Sequence, residues 1–493
     1  MNIALLLQMA AYEMADRAAI GPADAGLDFA AFGARAAAAA GWIARRDDAA
    51  NVAYLGLNSP AFPIALFAAG MAGKPFVPLN YRLPDTELTR LVERAAPCIL
   101  IADSELLARV PALPGVTVLS RDAFLMLATT EAPLPEAAGD ESDIALLLFT
   151  SGTTGEPKAA ILRHSNLTAY VVQTVEFAGA GDDEALLVSV PPYHIAGVSA
   201  VLTSAYGGRR IVQLPAFSPE DWVSLAEREA VTHAMVVPTM LGRILDVLES
   251  RGERLPALRH LSYGGGRMPV SVIERALALL PHVDFVNAYG LTETSSTIAI
   301  LGPDDHRLAL SGSVAERRRL GSVGKPLPSV RIEIRGADGA VQPPGIAGDI
   351  FVRGEQVSGE YVGRKAIGED GWLRTNDCGW LDEAGYLYID GRLDDVIVRG
   401  GENISPGEVE DVLRAHPMVR DVAVFGLPSD EWGESVAAAV VPADTIDPQL
   451  LRDWVRQRLR STKVPEHIQF RAALPYNETG KLLRRVLKAE LSR

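Results

Sequence analysis

Residues 147–160, LLFTSGTTGEPKAA, carry the motif that is most informative about this chain. An apolar run over residues 144–149 is followed by small hydroxyl and glycine residues: Thr150, Ser151, Gly152, Thr153 and Thr154. Lys158 comes shortly after them. Glycines let the backbone approach a ligand and adopt positive φ, so the N–H groups and hydroxyls of such a loop can surround a polyphosphate. The common P-loop GxxxxGK[ST] is absent, as is a GxGxxG in a βαβ context. Taken alone, the motif is equally consistent with a Gly/Thr-rich surface turn.

Length and composition restrict the class of protein. The chain has 493 residues, 48% apolar and 22% charged, which predicts a globular protein of two or more domains. Its net charge of −15 argues against a nucleic-acid-binding role. The two cysteines, Cys98 and Cys378, form no CxxC pair, so we expect neither a disulfide framework nor a zinc site, as suits a reducing cytoplasm.

The hydropathy pattern favours a protein without a membrane anchor. No apolar run reaches the roughly 18 residues that would span a bilayer. The N-terminal segment MNIALLLQMAAYEMADRAA has no basic region ahead of its apolar patch, and Glu13 and Asp16 interrupt it. We therefore expect a first helix here, not a signal peptide.

Alternating strand and helix patterns predict a largely parallel sheet covered on both faces. Downstream of the first motif, four apolar strands end in Gly, hydroxyl, His or acidic residues: residues 186–190, 231–237, 260–263 and 285–289. Ligands of open α/β sheets gather outside the carboxyl ends of the strands. The pattern thus places residues 150–158, His194, 264–267 and 289–293 around one crevice.

The sequence pattern changes near residue 320. From there, short strand-like segments alternate with Gly/Pro turns, which predicts a small antiparallel β unit. We place a domain boundary after residue 393, giving domains 1–393 and 394–493. Ser405 and Glu408 are spaced as a capping box with a proline at the first helical position. Residues 394–449 carry 3 basic and 12 acidic groups, whereas residues 450–493 carry 11 basic and 4 acidic groups. The basic part is either a solvated face or a surface for an anionic cosubstrate.

Five motifs in order resemble the signature set of the adenylate-forming superfamily, in its acyl-CoA synthetase and aryl-CoA ligase branch. They are TSGTTGEPK (150–158), NAYGLTET (287–294), GWLRTNDCGW (371–380), GRLDDVIVRGGENISP (391–406) and NETGK (477–481). The likeness extends from VPLNYRL (77–83) to Lys481. It implies a large N-terminal domain with two mostly parallel α/β sheets and a small β-barrel, followed by a small mobile α+β C-terminal domain.

The resemblance also implies a two-step reaction. A carboxylate attacks the α-phosphorus of ATP to give an acyl-adenylate and pyrophosphate, and a thiol then displaces AMP. Residues 150–154 and Lys158 would hold the leaving pyrophosphate, Thr292 would contact the α-phosphate, and Glu293 would lie near Mg²⁺, which phosphate oxygens largely coordinate.

Other motif residues are expected to bind the nucleoside. Tyr289 would lie against adenine, and the turn of Gly265, Gly266 and Arg267 would face its edge. Asp377 would accept hydrogen bonds from both ribose hydroxyls with help from Arg392. A purely structural salt bridge between Asp377 and Arg392 is the alternative.

The remaining motif residues belong to the mobile domain. Lys481, a surface lysine if judged by itself, would reach the attacking carboxylate and the α-phosphate and stabilise the charge that develops there. Asp394 matches the hinge at which the domain rotates, although a turn or N-cap aspartate is the alternative. Gly400 and Gly401 would line the pantetheine path. Trp432 is expected either near the CoA nucleotide or in the core.

The acid substrate is constrained by the sequence PPYHIAG, which lacks the aspartate that holds an α-ammonium in peptide-synthetase domains. We therefore expect an aryl or aliphatic acid with a hydrophobic body. His194 either gates the acyl pocket or is simply a buried, hydrogen-bonded histidine, and Arg267 could alternatively hold a second carboxylate. The expected pocket residues are mostly small or apolar: Gln173, His194, Ile195, Ala196, Met235, Gly264, Ala288, Gly290, Ser295 and Ser296.

Three classes of function are therefore weighed. A CoA ligase that uses ATP, Mg²⁺ and CoA is favoured, because no carrier domain is appended to the chain. An enzyme that loads the thiol of a separate carrier protein is the alternative. A nucleotide-binding relative without activity is disfavoured by the intact Lys158, Glu293, Asp377 and Lys481. The resemblance leaves a homodimer open.

Overall fold

The computed structural model describes residues 1–150, 157–400, 402–429, 431–476 and 482–491. The helices within these ranges are α1 (Ala4–Glu13), α2 (Phe29–Ala44), α3 (Ala61–Met71), α4 (Asp85–Ala95), α5 (Ser104–Leu107), α6 (Arg121–Thr130), α7 (His164–Thr174), α8 (Ile195–Gly207), α9 (Pro219–Arg228), α10 (Pro238–Arg251), α11 (Val270–Leu279), α12 (Pro303–Ser311), α13 (Val314–Arg318), α14 (Pro406–Arg414), α15 (Pro448–Arg456) and α16 (Arg484–Leu491).

The strands form four sheets. In chain order they are β1 (Ala18–Ile20), β2 (Leu27–Asp28), β3 (Asn51–Leu55), β4 (Phe76–Pro78), β5 (Cys98–Ala102), β6 (Val116–Ser120), β7 (Ile144–Thr150), β8 (Lys158–Arg163), β9 (Ala185–Val188), β10 (Arg210–Gln213), β11 (His233–Val236), β12 (His260–Gly264), β13 (Asp284–Leu291), β14 (Ser296–Leu301), β15 (Lys325–Pro326), β16 (Arg331–Arg335), β17 (Gly348–Arg353), β18 (Glu360–Tyr361), β19 (Arg364–Lys365), β20 (Leu373–Leu381), β21 (Leu387–Arg392), β22 (Ile397–Arg399), β23 (Glu402–Ile404), β24 (Val419–Ser429), β25 (Gly433–Pro442) and β26 (His467–Phe470).

Two large mixed sheets confirm the predicted α/β architecture. The first has the order β15-β14-β13-β12-β11-β9-β10-β1-β2, and the second has the order β19-β18-β8-β7-β4-β3-β5-β6. Their central strands pair in parallel and read as near-continuous apolar runs, because helices cover both faces. Helix α3 illustrates this burial, since all of its residues from Ala61 to Met71 are buried.

The small antiparallel β unit predicted from residue 320 onward is a four-stranded sheet with the order β16-β17-β20-β21. Its apolar side packs into a separate cluster that includes Ile334, Ile350 and Leu387. Strand β21 ends at Arg392, directly before the predicted domain boundary.

The C-terminal residues from Ile397 onward form their own sheet, in which β23, β22, β25 and β24 follow one another and β26 pairs with β25. Two apolar clusters fill its two faces, one around Val424 and Val440 and the other around Phe425 and Leu487. The predicted compact α+β layout of this segment is confirmed.

One local prediction is wrong. Ser405 precedes α14, but its side chain makes no capping hydrogen bond. Its hydroxyl instead donates to the carbonyl of Asp390 at 2.8 Å, and Glu408 pairs with Lys463 at 2.6 Å. The serine and the glutamate thus bind partners outside the helix, which leaves no capping box.

None of the helices among the described residues combines the length and the apolarity that a membrane span needs.

Candidate active site

The carboxyl ends of neighbouring parallel strands bring the predicted residues to one edge of the first sheet. In the β11–β12–β13 register, Met235 lies beside Ser262, and Gly264 lies beside Ala288. The chain leaves these strands through the turns after residues 236, 264 and 291. Strand β7 of the second sheet ends at Thr150, where its hairpin partner β8 begins at Lys158. Ser151, Gly152, Thr153 and Thr154 lie outside the described residues.

A chain of polar contacts links β13 to the small sheet. The Tyr289 hydroxyl donates to Asp377 Oδ2 at 2.6 Å, and Arg392 Nε lies 3.0 Å from Asp377 Oδ1. Asp377 and Arg392 face each other across β20 and β21, and the Asp377 side chain is only 7% exposed. Burial, followed by the charge of Asp377, raises the pKa of Tyr289 well above its ordinary value, so the phenol stays a donor. Three residues that are expected to bind the nucleoside, Tyr289, Asp377 and Arg392, are therefore in direct contact.

The turn after β13 is held by a buried side chain that sequence reasoning missed. The Gln356 amide is fully buried and donates to the carbonyls of Thr294 and Thr297 at 2.9 and 2.8 Å. Its backbone carbonyl accepts from the Ser295 hydroxyl at 2.9 Å. Ser295 and Ser296 have φ values of 56° and 114°, a region that costs free energy for residues other than glycine. Gln356 thus stabilises a strained turn.

Gly290 and Gly264 are required by close backbone approaches. A Cβ atom at Gly290 would collide with the carbonyl of Ser296, and one at Gly264 would collide with the carbonyl of Ala288. Both glycines were expected at the acyl pocket. The structure shows that their missing side chains allow the strands to approach.

Glu293 begins the same turn and is held from two sides. The Tyr361 hydroxyl donates to Glu293 Oε1, while the backbone N–H of Ser358 donates to the Glu293 carbonyl at 2.9 Å. Burial and the charge of Glu293 raise the pKa of Tyr361. The Tyr361 hydroxyl thus hydrogen-bonds one oxygen of the Glu293 carboxylate. Thr292, which precedes Glu293, is half-buried.

We call the region between helix α8 and the partly buried face of β11, β12 and β13, at the carboxyl ends of these strands, the groove. Met235, Gly264 and Ala288 share this face by register, whereas the opposite face packs into the core with Val236, Leu261 and Phe285. Helix α8 contacts β14 on one side of this region, and its Ser199 hydroxyl lies 3.3 Å from the hydroxyl of Ser296. Ile195 and Ala196 begin this helix and are half-buried.

His194 precedes α8 and carries an unusual polar atom. Its Nε2 is buried without a hydrogen-bond partner among the described residues. Burial lowers the pKa of His194 to about 4, with a smaller contribution from Arg82, so the imidazole is neutral near pH 7. The ring contacts Tyr193, which in turn lies against Tyr81 of the loop after β4. The alternative for His194 was a buried histidine that is hydrogen-bonded, and Nε2 does not meet it among the described residues.

Two expected residues have other surroundings. Gln173 is exposed on α7 and donates to Glu355 at 3.1 Å, so the structure does not bring it to the groove. Arg267 forms an ion pair with Asp411 of α14 at 2.5 Å, and its guanidinium occupies the space that a side chain at Gly407 would need. Gly265 and Gly266 are exposed beside it. Near this contact, burial raises the pKa of Asp390 to about 6.

The residues expected to act with the C-terminal part are only partly described. Asp394 is exposed, and its carbonyl accepts from Lys488 at 3.3 Å. Gly400 has φ +56° and donates to the carbonyl of Trp432 at 2.8 Å, while the Trp432 ring is 44% exposed and is therefore not a core residue. Lys481 and Gly401 lie outside the described residues.

The comparisons with known proteins decide the family. Residues 7–362 match the AMP-binding enzyme family, and residues 408–481 match the AMP-binding enzyme C-terminal domain. The chain belongs to the AMP-binding enzyme family. This confirms the resemblance to adenylate-forming enzymes and the expected α/β fold class, whereas the small β-barrel that the resemblance implies stays a prediction.

Named relatives share most of their length with the chain. It is 37% identical to a feruloyl-CoA synthase of Amycolatopsis sp, over 88% of this chain and 87% of the relative. It is 34% identical to a 2-succinylbenzoate–CoA ligase of Bacillus cereus, over 89% and 88%. The structure of o-succinylbenzoate CoA synthetase from Bacillus subtilis with its acyl-adenylate intermediate superposes with a TM-score of 0.84 at 31% identity, over 98% and 97% of the two chains. That enzyme has also been solved with ATP and a magnesium ion.

Tyr361, Gln356 and Ser199 were not predicted as site residues. Gln356 is 62 residues from its partner Thr294, and Tyr361 is 68 residues from Glu293, so no local motif marks either side chain. Ser199 lies one helical turn after Ile195, which was expected at the acyl pocket. A helical projection from Ile195 would therefore have placed Ser199 on the same side of α8.

We predict that Gln356→Ala inactivates adenylation and lowers the melting temperature. The change leaves the buried carbonyls of Thr294 and Thr297 without a donor, and each unpaired group costs about 1–3 kcal/mol. Thermal unfolding and pyrophosphate exchange would measure the two effects. The control is Gln342→Ala, because Gln342 is half-buried and donates only to Ala340 within its own turn. Wild-type behaviour of Gln356→Ala would contradict this role for the amide.

We predict that Arg267→Ala and Asp411→Asn alter turnover to a similar extent, and that the double variant resembles either single variant. The two side chains form one ion pair, so either substitution removes the same interaction. Steady-state kinetics with varied ATP would measure this. A rise in KM for ATP in Arg267→Ala that Asp411→Asn does not share would instead assign Arg267 to the nucleotide.

Proposed function

We propose that this protein is an ATP-dependent aryl-CoA ligase for an acid with a hydroxylated aromatic body of about hydroxycinnamate size. The class of reaction, an AMP-forming ligation of a carboxylic acid to CoA with ATP and Mg²⁺, is supported by the family and by the relatives named above. The carrier-protein alternative is less well supported, because the relatives named above are CoA ligases and synthetases.

The proposed nucleotide-binding residues are supported by the polar contacts that link β13, β20 and β21. Asp377 is nearly buried, and Arg392 and the Tyr289 hydroxyl fix its orientation, which suits a carboxylate that accepts from ribose hydroxyls. Tyr289 would present its ring to adenine. Thr150 and Lys158 face each other across the mouth of the β7–β8 hairpin and would hold phosphate oxygens together with residues 151–154.

Magnesium fits the residues at Glu293. A half-buried carboxylate with one oxygen fixed by a hydroxyl donor has its second oxygen available to a hard cation or to the water around it. When bound, the ion offsets the charge of the phosphates. Thr292 lies beside this carboxylate and would contact the α-phosphate, and Lys481 would meet the attacking carboxylate.

The observation that carries the choice of acid is the groove between α8 and the strand face. The wall residues Met235, Gly264 and Ala288 are small or apolar, and Met235 and Ala288 are half-buried, which suits an aromatic ring. Three neutral polar groups lie near this wall: the hydroxyls of Ser199 and Ser296 and the Nε2 of His194, which has no hydrogen-bond partner among the described residues. Neutral donors and acceptors suit ring hydroxyl or methoxy groups.

A dicarboxylic acid is disfavoured by the position of Arg267. This cation is already paired with Asp411, outside the groove. The feruloyl-CoA synthase among the relatives supports a phenylpropanoid-type acid, since it is 37% identical over 441 residues.

The acceptor side is supported by a basic cleft in the C-terminal part. A cavity of about 410 Å³ is lined by Arg399, Arg452 and Arg456 together with Gln449, Ser461 and Glu466. The Arg399 guanidinium lies 5.7 Å from the centre of the exposed Trp432 ring. Arg399, which also pairs with Glu466, is the arginine beside the exposed indole, and an arginine next to an aromatic ring suits a nucleotide with phosphate groups, as CoA has. Gly400 and Gly401 would lie on the path of its pantetheine arm.

The domain division also remains part of the proposal. Residues 1–393 would form the adenylation domain and residues 394–493 the mobile domain, with Asp394 as the hinge. The exposure of Asp394 and the separate apolar clusters of the C-terminal sheet support such a rotation. The cytoplasm is the proposed location, in keeping with the reduced cysteines.

We predict that ferulate and related hydroxycinnamates give CoA thioester with AMP release, and that they exceed malonate and octanoate in kcat/KM by at least about tenfold, as two or more lost contacts would cause. A substrate panel with ATP and Mg²⁺, with and without CoA, measures this. A preference for dicarboxylic acids would contradict the assignment of the groove. Adenylation without any thioester on CoA would move the acceptor to a carrier protein.

We predict that Lys481→Ala abolishes adenylation and spares thioester formation from supplied acyl-adenylate. The charge of this lysine is needed where negative charge builds on the α-phosphate, and thiol attack has no such requirement. Single-turnover assays of the two half-reactions separate the effects. Equal loss of both half-reactions would refute the role.

A further inference from the structure

We propose that Tyr361 is a positioning residue for adenylation, because its hydroxyl fixes the carboxylate of Glu293 in the orientation that meets the phosphates and their divalent ion. The inference rests on the proposed function, which places Glu293 at that ion. Neither the motifs nor the family resemblance assigns a role to Tyr361.

The position of Tyr361 follows from strand pairing. β18 lies between β19 and β8 near the edge of the second sheet, and Tyr361 pairs with Ala160 of β8, two residues after Lys158. From this edge the phenol reaches the turn after β13 of the first sheet and donates to Glu293 Oε1. The hydrogen bond therefore joins the two large sheets where β8 approaches the turn after β13.

The segment that carries Tyr361 also holds the backbone of Glu293. The N–H of Ser358 donates to the Glu293 carbonyl at 2.9 Å, and the N–H of Gly359 donates to it at 3.4 Å. Main chain and side chain of Glu293 are thus both fixed by residues 358–361. A glutamate side chain has three rotatable bonds, and one bound oxygen restricts where the other oxygen points.

The Tyr361 hydroxyl is not what secures β18 to the protein. Glu360 forms an ion pair with Arg163 at 2.8 Å, and the Ser358 hydroxyl donates to the carbonyl of Ile161. These contacts persist when Tyr361 becomes phenylalanine. Tyr361→Phe therefore removes the restraint on Glu293 and leaves the strand in place.

The test compares Tyr361→Phe with Tyr386→Phe as functions of Mg²⁺ concentration. Tyr386 provides the matched control, since its hydroxyl donates to Asp305 Oδ1 at 2.6 Å, a tyrosine–carboxylate pair outside the proposed site. Pyrophosphate exchange reports adenylation, calorimetry reports the affinity for ATP at each Mg²⁺ concentration, and supplied acyl-adenylate reports the thioester step.

We expect Tyr361→Phe to raise the Mg²⁺ concentration for half-maximal adenylation and to weaken Mg²⁺-dependent ATP binding, each by about tenfold. Thioester formation from supplied adenylate should be unchanged, and Tyr386→Phe should match the wild type in every assay. An unchanged Mg²⁺ dependence in Tyr361→Phe would overturn the proposal, as would equal effects of the two variants.

Glu293→Gln separates failure of this inference from failure of the proposed function. If Glu293→Gln abolishes adenylation while Tyr361→Phe has no effect, Tyr361 alone loses its role. If Glu293→Gln adenylates normally, the assignment of Glu293 itself is wrong. In the double variant the effect of Tyr361→Phe on Mg²⁺-dependent ATP binding, measured by calorimetry, should vanish, because it acts through the carboxylate; an additive effect on that binding would overturn the proposal.

Discussion

The hydrogen bonds of one buried amide, Gln356, hold the turn on which the candidate site depends. The side-chain amide donates to the carbonyls of Thr294 and Thr297, and the backbone carbonyl of Gln356 accepts from the Ser295 hydroxyl. Without these bonds, two consecutive serines would have to keep positive φ unsupported. In the proposed function, the turn places Glu293 towards the phosphates and Ser296 towards the acid. A single buried residue would thus couple the orientation of nucleotide-side and acid-side groups.

The site lies where the two large sheets meet, and each sheet supplies one part of the chemistry. Strand β13 and the turn after it supply Tyr289 and Glu293, whereas the β7–β8 hairpin supplies Thr150 and Lys158. Tyr361 connects the two sheets by a hydrogen bond to Glu293. At this junction the polar side chains of both sheets lie near the half-buried face of Met235 and Ala288. In the proposed function, phosphates and a hydrophobic acid are held next to each other here, as an acyl-adenylate requires.

The parts that sequence reasoning predicted correctly are those with a local signal. Apolar strands that end in Gly or polar residues predicted the shared edge, because parallel strands place their carboxyl ends together. Gln173 was wrongly expected in the groove, since helical position alone does not show which side of α7 faces solvent. The bond from Ser405 to Asp390 replaced a predicted capping box because a tertiary partner competed with the local one. Tyr361 and Gln356 could not be predicted, since their partners are distant in sequence.

The most direct test of the account is a rapid-quench experiment that follows acyl-adenylate and thioester together, with ferulate, ATP and Mg²⁺ and with CoA added to the preformed mixture. We predict that feruloyl-adenylate and pyrophosphate form before CoA is present, and that the adenylate is then converted to feruloyl-CoA with release of AMP. Formation of thioester without a preceding adenylate, or release of ADP in place of AMP, would contradict it.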